Sequence, residues 1–338
     1  MSILVTGGAG YIGSHTVLLL IENGYDVIVL DNLTNSSNIS LERVELLTSK
    51  KIKFIHGDIN DCFCLAEIFK GNNIDAVIHF AALKSVGESV KEPLKYYINN
   101  VSGTLTLLDE MKKANVNKFI FSSSATVYGN NAPVPNLEDY PIGNASCPYG
   151  TTKVMIENIL SDFVVSDSSM KVIALRYFNP AGAHYSGLIG EDPNGVPNNL
   201  IPYISQVAVG KLDKLLVYGG DYETIDGTGV RDFIHIMDLA AGHMHALKYL
   251  DSMTGYETFN LGTGKGVSVL EVIRSFEKAS QRNINYEIVE RRKGDIASSW
   301  ANVAKAKTVL GWTAKHDIDD MMRDTWNWQR KNPAGYNS

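Results

Sequence analysis

The N-terminal forty residues constrain the fold more than any other part of the chain. The aliphatic run Ile3-Leu4-Val5 leads directly into the glycine-rich segment 7–13, and an apolar-periodic stretch follows. This order predicts a strand, a tight turn and a helix. Gly7 suits the turn, Gly10 lets backbone approach a pyrophosphate, and Gly13 lets the helix pack closely on the strand. The free N–H groups at the helix start, with the positive dipole end, favour an anion there.

The next apolar run ends in an acidic residue. Val27 to Leu30 is followed by Asp31, at the spacing of about twenty residues where a carboxylate binds both hydroxyls of an adenosine ribose. A 2′-phosphate would meet a like charge at Asp31, and the following segment 32–36 contains no arginine to pair with it. We therefore expect NAD rather than NADP. The alternative is that Asp31 only caps the next helix.

Apolar β-rich runs alternate with helical patterns through the first half of the chain. The strand candidates are 53–56, 76–80, 118–121 and 172–177, and the helix candidates are 62–70, 93–114 and 150–165. This alternation predicts an α/β fold with a Rossmann-like, doubly wound parallel sheet. After about residue 180, Gly-, Pro- and Asn-rich segments at 190–199 and 219–229 predict a smaller α/β substrate lobe with long loops.

The expected domain boundary follows from this change of pattern. We expect a dinucleotide-binding domain over residues 1–180, with strand and helix contributions from about 230–265, and a substrate lobe over 181–338. In open α/β sheets, ligands bind beyond the carboxyl ends of the strands. The residues at those ends that are candidate site residues are Asp58, Ile59, Phe80, Ala81, Ala82, Lys84, Ser122 and Ser124, with Asn99 on a helix beside them.

One short motif indicates acid–base chemistry. Tyr149 and Lys153 are four residues apart on a helix candidate, so they share a face. A nearby ammonium favours the phenolate, and a phenol with a lowered pKa is a general base near neutral pH. An isolated pair of this kind is more often a solvated Tyr and Lys, so the hypothesis depends on the surrounding motifs.

Composition excludes several other classes of protein. The chain of 338 residues is 44% hydrophobic, enough for a large core, and its formal net charge of −6 argues against broad nucleic-acid binding. Cys62, Cys64 and Cys147 lack metal-ligand spacing and indicate a reducing compartment. His243 and His245 would lie on different faces of a helix, so we expect no metal site. Without a membrane-spanning run or signal peptide, we expect a cytoplasmic protein.

Taken together, these motifs resemble the UDP-glucose 4-epimerase family of the extended short-chain dehydrogenase/reductase superfamily. The resemblance covers essentially the whole chain. Besides the glycine motif, Asp31, Ser124 and the Tyr149–Lys153 pair, it is carried by the segments 121–129, 176–180, 197–200 and 229–232. It implies that Tyr149 takes the proton of the sugar 4-hydroxyl while C4 passes a hydride to the nicotinamide. The transient 4-keto sugar then turns and receives the hydride on its other face.

The resemblance also implies which residues contact each ligand. With the positions named above, the implied cofactor residues are Gly7, Gly10, Tyr11, Ile12, Gly13, Asp31, Asn32, Asn35, Ser36, Asp58, Ile59, Phe80, Ala81, Ala82, Lys84, Asn99, Ser122, Tyr149, Lys153 and Phe178. The implied UDP-sugar residues are Ser124, Asn179, Asn199, Leu200, Leu216, Tyr218, Arg231, Arg292, Asp295 and Ser299. The family further implies tightly held NAD and a homodimer formed through the helices around 93–114 and 150–165.

Two other functions are weighed against epimerisation. Dehydratases of the superfamily carry an Asp-Glu pair just before the Val-Tyr-Gly element, where this chain has Ala125 and Thr126. Losing both carboxyls argues against 4,6-dehydration, which needs a second acid and base. A non-catalytic NAD-sensing protein usually lacks part of the Ser, Tyr and Lys set, whereas this chain retains all three residues.

One position bears on which sugar is accepted. In the family, the residue before the tryptophan that follows Arg292-x-x-Asp295 lines the sugar pocket, and it tends to be tyrosine in members restricted to UDP-glucose and UDP-galactose. Here it is Ser299. The smaller side chain opens room for an N-acetyl group at C2, so we expect turnover of UDP-GlcNAc and UDP-GalNAc as well. The alternative is that the segment 177–179 still closes the pocket.

Overall fold

The computed structural model describes residues 1–292 and 294–337. The strands are β1 (Ser2–Thr6), β2 (Asp26–Asp31), β3 (Lys53–His56), β4 (Ala76–His79), β5 (Lys118–Ser124), β6 (Lys171–Tyr177), β7 (Asn179–Ala181), β8 (Leu215–Tyr218), β9 (Val230–His235), β10 (Gly255–Leu261), β11 (Gly266–Ser268), β12 (Tyr286–Val289) and β13 (Ser298–Ser299). The α-helices are α1 (Tyr11–Glu22), α2 (Asn38–Thr48), α3 (Cys62–Gly71), α4 (Val86–Lys91), α5 (Pro93–Tyr96), α6 (Gly103–Lys113), α7 (Pro148–Ser166), α8 (Leu200–Ala208), α9 (Ile236–Tyr249), α10 (Val269–Ser280) and α11 (Ile318–Lys331). Shorter helical segments are the π-helices Tyr97–Ser102 and Ala306–Leu310 and the 3-10 turns Ala125–Tyr128 and Gly335–Asn337.

The chain divides into two compact units. The first unit comprises Met1–Gly129, Tyr140–Arg176 and His243–Phe259, and the second comprises Asn130–Asp139, Tyr177–Gly242 and the residues from 260 onward. Each unit has a hydrophobic core of its own. Each unit is therefore built from segments that are far apart in the sequence.

The first unit is organised around a seven-stranded sheet. Its strand order is β10-β6-β5-β4-β1-β2-β3, and β3, β2, β1, β4 and β5 pair in parallel. The interior strands β1 and β4 are almost entirely buried because their aliphatic side chains are covered on both faces of the sheet. Val5 pairs with Val29 of β2 on one side and with Ile78 of β4 on the other. The expected Rossmann-like α/β architecture is confirmed.

The second unit has smaller sheets. Strand β9 is central: β11 pairs with it antiparallel, while β7 and β13 pair with it in parallel. Strands β8 and β12 form a separate parallel pair. The core of this unit includes Phe233 of β9, Phe276 of α10 and Met322 of α11. Both α10 and α11 begin with a capping box, which satisfies the N–H groups of their first turns.

Two expected elements differ in detail from the structure. The helix expected over 93–114 is interrupted by the π-helix Tyr97–Ser102, which holds Asn99 and Asn100. Such π-segments are frequent at functional sites because they reorient neighbouring side chains. The serines 122–124, expected after the fifth strand, instead form the last residues of β5. Among the described residues, no helix is long and apolar enough to cross a membrane.

Candidate active site

The glycine loop between β1 and α1 leaves open space in front of the helix. A Cβ at Gly13 would lie 2.3 Å from the carbonyl oxygen of Gly7, so this position must stay bare for the turn to close. At Gly10 an added Cβ would meet only the Gly7 oxygen, at 3.4 Å. Gly10 is the N-cap of α1, and no side chain caps the first turn, which includes Tyr11, Ile12 and Gly13. The uncapped N–H groups and the bare Gly10 therefore fit a pyrophosphate.

Asp31 is oriented by the loop itself. Its side chain is 8% exposed. The carboxylate accepts hydrogen bonds from the N–H of Ala9 at 3.0 Å, the N–H of Leu33 at 2.9 Å and the hydroxyl of Ser36 at 2.8 Å. These bonds tie the end of β2 to the glycine loop. A buried, fixed carboxylate at this edge suits the two hydroxyls of an adenosine ribose and opposes a 2′-phosphate.

The neighbouring candidates form a small polar cluster. Asn32 donates a 2.7 Å hydrogen bond from its amide to Asp58. Burial raises the pKa of Asp58, but hydrogen bonds from Asn32 and Asn60 outweigh burial and lower the pKa below its ordinary value. Ile59, which follows, is buried, whereas Asn35 is exposed on the loop after β2. Asp58 therefore remains an anionic acceptor beside Asn32.

The loop after β4 is held by Asn100, which the sequence analysis missed. Its side-chain oxygen accepts hydrogen bonds from the N–H of Leu83 at 2.8 Å and from the amide of Asn99 at 2.9 Å. Its amide donates to the carbonyl of Leu83 at 3.0 Å and to Thr152 of α7 at 3.2 Å. The predicted residues on this loop differ in burial: Phe80, Ala81 and Ala82 are partly buried, and Lys84 is exposed.

Ser124 and Tyr149 are brought together at the start of α7. Cys147 is the N-cap of this helix and Pro148 its first residue, so Tyr149 lies in the first turn, near the positive end of the helix dipole. The hydroxyl oxygen of Ser124 accepts hydrogen bonds from the N–H of Thr126 at 3.2 Å and from its hydroxyl at 3.0 Å. The proton of Ser124 is then directed to the phenol oxygen of Tyr149.

Lys153 lies one helical turn further along the same face. It is 3% exposed, and its ammonium donates a 2.6 Å hydrogen bond to the carbonyl of Ser122. The ammonium is 4.7 Å from the ring centre of Phe121 and 5.9 Å from that of Tyr149. Burial lowers the pKa of Lys153 to about 7, and Glu157 opposes this shift.

The pKa of the phenol differs from the expectation. The spacing predicts that Lys153 lowers the pKa of Tyr149, but in this structure burial raises it to about 12, opposed by the hydrogen bond from Ser124. The reason is geometric, since the Lys153 ammonium faces the Ser122 carbonyl and not the phenol oxygen. Burial then disfavours the phenolate without a cation directly beside it.

In the second unit, several predicted phosphate and uridine residues meet. The Arg292 guanidinium lies 4.3 Å above the ring centre of Tyr218, and its Nε is 3.9 Å from Asp295. Tyr218, Arg292 and Asp295 are exposed. Leu216 is two residues before Tyr218 on β8 and shares its face. Arg231 is more enclosed, and burial lowers its pKa, opposed by the charge of Asp295.

Ser299 lies on the strand beside Arg231. Strand β13 pairs in parallel with β9, and Ser299 is opposite Arg231 in the register. The Ser299 hydroxyl donates a 3.2 Å hydrogen bond to the side-chain oxygen of Asn136, which is 3% exposed. Ser299 and Arg231 are therefore neighbours in the sheet, and the Ser299 hydroxyl is held by Asn136.

The remaining predicted residues flank β7 and α8. Phe178 is buried, and its N–H donates to the carbonyl of Leu261 at 3.2 Å. Asn179 is the exposed first residue of β7. Asn199 is the N-cap of α8, its amide donates to Glu191 at 3.3 Å, and Leu200 begins the helix. Asn179 and Asn199 thus present amide groups at the surface of the second unit.

The structure also identifies residues that the sequence analysis missed. Besides Asn100, these are Thr126, which orients the Ser124 hydroxyl, and the buried pair Glu157 and Arg176, joined at 2.7 Å. Glu157 is four residues after Lys153, so the spacing that revealed Tyr149 and Lys153 would have revealed it too. Arg176 begins one of the segments that carry the resemblance, but no local spacing pairs it with Glu157, 19 residues away. The bonds of Asn100 to Leu83 and Thr152 likewise span 17 and 52 residues.

Known proteins of similar sequence and structure carry related names. The family model of GDP-mannose 4,6 dehydratase matches residues 4–325. The UDP-glucose 4-epimerase of Yersinia enterocolitica is 60% identical over 337 residues, covering 100% of each chain. The crystal structure of UDP-glucose 4-epimerase from Bifidobacterium longum in complex with NAD+ and UDP matches with a TM-score of 0.96 and 54% sequence identity. The match covers 99% of this chain and 100% of that chain. The UDP-Glc/GlcNAc 4-epimerase of Campylobacter jejuni is 38% identical, with a TM-score of 0.85 and coverage of 98% and 99%.

Proposed function

We propose that this chain, which belongs to the UDP-glucose 4-epimerase family, interconverts UDP-glucose and UDP-galactose with NAD as its cofactor. The single observation that carries this function is the meeting of Ser124, Tyr149 and Lys153 at the carboxyl end of β5, beside a glycine loop that fits a pyrophosphate. Bound NAD+ supplies a hydride acceptor that later returns the hydride, so the reaction needs no outside oxidant.

The residues of the first unit have distinct roles in proton transfer. Tyr149 takes the proton of the sugar 4-hydroxyl and returns it after the sugar has turned. Ser124 donates to the phenol oxygen and positions the sugar hydroxyl against it. Lys153 contributes positive charge near the phenolate. A cation stabilises the phenolate, and this is the contribution proposed for Lys153.

The second unit is proposed to hold the nucleotide. Arg231 and Arg292 pair with the diphosphate, since a guanidinium fork matches phosphate geometry. Leu216 and Tyr218 flank the uracil, and Asp295 binds the uridine ribose. The residues proposed to complete this site are Asn179, Asn199 and Leu200 near the diphosphate and sugar, and Phe178 near the nicotinamide. We propose that the first unit corresponds to the expected NAD-binding domain and the second to the expected UDP-sugar-binding lobe.

The two residues after Ser124 argue against dehydration, although the matching family model is named for a dehydratase. The positions that would need carboxyl groups hold Ala125 and Thr126. The Thr126 hydroxyl is hydrogen-bonded to Ser124 and has no acidic proton to offer a leaving hydroxyl. A 4-keto-6-deoxy product is therefore not expected.

We also propose that the enzyme accepts UDP-GlcNAc and UDP-GalNAc. Ser299 donates a hydrogen bond to Asn136, and its side chain is much smaller than the tyrosine that members restricted to UDP-glucose and UDP-galactose tend to carry there. A site with added space admits the larger sugar and does not strongly reject the smaller one. The UDP-Glc/GlcNAc 4-epimerase of Campylobacter jejuni, of the same fold, carries both substrate classes in its name.

A homodimer in the cytoplasm is the proposed state of the enzyme. Leu94 and Ile98, near the start of the helical segment 93–113, are 74% and 61% exposed, and Met155 of α7 is 42% exposed. Exposed apolar side chains on neighbouring helices are typical of an interface. The cysteines Cys62, Cys64 and Cys147 are unpaired, as in a reducing compartment. Sedimentation velocity of the purified protein tests the dimer.

The first experiment incubates the purified protein, without added cofactor, separately with UDP-galactose and UDP-GalNAc, and follows inversion at C4 by NMR. Conversion of both substrates is expected. Conversion of UDP-galactose alone would refute acceptance of the acetylated sugar, and a 4-keto-6-deoxy product would support a dehydratase. No conversion, even after NAD is added, would support a non-catalytic NAD-binding protein.

Substitution of Ser299 tests the basis of sugar choice. Ser299→Tyr is expected to suppress turnover of UDP-GalNAc by at least about tenfold while sparing UDP-galactose, because the ring fills the proposed space for the acetyl group. Ser299→Ala is the matched control: it removes the hydrogen bond to Asn136 but keeps the space, so both substrates should still react. Equal loss of both activities in Ser299→Tyr would refute a role for residue 299 in the choice of sugar.

A further inference from the structure

Helix α7 and strand β5 face each other through three consecutive polar contacts. Tyr149, Lys153 and Glu157 recur every four residues and therefore lie on one face of α7. On β5, the Ser124 hydroxyl meets Tyr149, the Ser122 carbonyl accepts from Lys153, and the Ser123 hydroxyl donates a short hydrogen bond to Glu157. The third contact has no role in the proton transfer described above.

Glu157 is buried and fully engaged. Its side chain is 2% exposed and its carboxylate receives the Arg176 guanidinium in a bidentate pair, at 2.7 Å from Nη2 and 3.1 Å from Nε. The Tyr256 hydroxyl of β10 donates to the same carboxylate at 3.1 Å. Arg176, at the end of β6, also donates to the Tyr128 hydroxyl at 3.0 Å. Glu157 thus connects α7 to β5, β6 and β10.

The charges around Lys153 explain what this carboxylate does. Several elements contribute groups that face Lys153 or its partners. Tyr149 and Glu157 belong to α7 and Cys147 is its N-cap, while β5 contributes the Ser122 carbonyl and the Phe121 ring. The others are His79 of β4, Arg176 of β6, Tyr128 of the 3-10 turn and Tyr256 of β10. Of these groups, Glu157 is the carboxylate. Burial disfavours the ammonium, and Glu157 raises the pKa of Lys153 against it.

We propose that Glu157 is a positioning residue for epimerisation: its carboxylate keeps the Lys153 ammonium charged and, through Ser123, holds α7 in register on β5. The inference rests on the proposed function and extends it. Arg176 balances the buried anion, so that Glu157 is stable in the core. A carboxylate one turn from the lysine, anchored from three strands, is placed to act on Lys153 and not on the sugar.

Two substitutions break the same ion pair with opposite electrostatic effects. Glu157→Gln keeps the shape but leaves Arg176 as an unbalanced cation, so the ammonium of Lys153 is disfavoured. In the plot of kcat for UDP-galactose against pH, the alkaline limb should move to lower pH by about one unit. Arg176→Met leaves Glu157 as an unbalanced anion, and the limb should move to higher pH. A purely structural role would move both profiles in the same direction or neither.

Further variants separate charge from packing. Ser123→Ala removes a hydrogen bond to the Glu157 carboxylate but no charge, so kcat should fall while the alkaline limb stays in place. The double variant E157Q/R176M removes both buried charges and is expected to fold even where a single variant does not. The alkaline limb of this variant should move to lower pH, because Lys153 loses the opposing charge of Glu157. An unmoved limb in the double variant would overturn the proposal.

An NMR titration separates failure of this inference from failure of the proposed function. The ε-carbon of Lys153, assigned with Lys153→Arg, is titrated in the holoenzyme and in the E157Q/R176M variant. A lower pKa of Lys153 in the variant supports the role of Glu157 whether or not the protein turns over UDP-galactose. An equal pKa in both proteins refutes it. If the wild-type protein fails to turn over UDP-galactose, the proposed function alone is refuted.

Discussion

The residues predicted to hold the cofactor and those predicted to hold the nucleotide sugar are built in contrasting ways. In the first unit, Asp31, Ser122 and Lys153 are buried and hydrogen-bonded within the protein. In the second unit, Asn179, Asn199, Tyr218, Arg292 and Asp295 are exposed, and the Arg292–Asp295 pair is 3.9 Å apart. The first set is held in place by the protein itself, whereas the second set is exposed to solvent.

The contrast has a physical cause. A buried charge is stable only with partners, so the first unit must supply them from its own chain, as it does for Asp31 and Lys153. An exposed ion pair contributes little, typically about 0–1 kcal/mol, and its groups are free to exchange water for phosphate. Buried residues therefore keep a fixed geometry, whereas exposed residues can change partners.

The largest expected effect lies in the first unit. Tyr149→Phe removes the proposed proton acceptor but leaves the glycine loop and Asp31 intact, so turnover of UDP-galactose should fall by about 10²- to 10⁴-fold. Bound NAD, measured in the supernatant after heat denaturation, should stay at the wild-type amount per subunit. Full activity in this variant would refute Tyr149 as the base. Loss of NAD would mean that the cofactor site is not preorganised independently of Tyr149.

An intermediate effect compares two arginines of the second unit. Arg231 is enclosed beside β13, whereas Arg292 is exposed and stacked on Tyr218. Arg231→Gln should raise KM for UDP-galactose by about 10- to 100-fold, the value of a charged hydrogen bond in a partly buried site. Arg292→Gln should raise it by no more than about fivefold. An equal increase in KM for the two variants would show that burial does not set the size of the effect.

The smallest expected effect is on the free energy of unfolding. It tests burial of a titratable group, His79, in the first unit. His79 is 1% exposed and bonded to Thr6 and Thr104, and burial, with the charge of Lys153, lowers its pKa to about 3 from 6.5. Below pH 6.5 the unfolded state therefore binds a proton that the folded state does not. The free energy of unfolding should fall by up to about 1.4 kcal/mol per pH unit as the pH drops from 6.5 toward 3.

Urea unfolding at pH 7.5 and 5.5 measures this effect. His79→Gln should show a smaller loss of stability between the two pH values than wild type, because a glutamine does not titrate. His56→Gln, at an exposed position at the end of β3, is the matched control and should follow wild type. A loss as large in His79→Gln as in wild type would show that His79 does not carry the pH dependence.

Local patterns in the sequence predicted most of the first unit. The aliphatic runs became the interior strands of a parallel sheet, and Gly7, Gly10 and Gly13 became the turn before α1. The Tyr149–Lys153 spacing placed both residues on one face of α7. These features depend on residues close in sequence, where helix and strand periodicity relate the pattern directly to geometry.

Contacts between distant residues were decided only by the tertiary structure. The direction of the Lys153 ammonium depends on the Ser122 carbonyl, 31 residues away, and it leaves the pKa of Tyr149 raised and not lowered. The Ser299 hydroxyl is bonded to Asn136, 163 residues away. The sequence by itself determined the α/β class and the glycine turn before α1, because both are encoded by local spacing. The roles predicted for Ser124, Tyr149 and Lys153 came from several separate motifs taken together. Burial, partner choice and proton affinity come from packing, since they depend on every group that surrounds an atom and not on its neighbours in the chain.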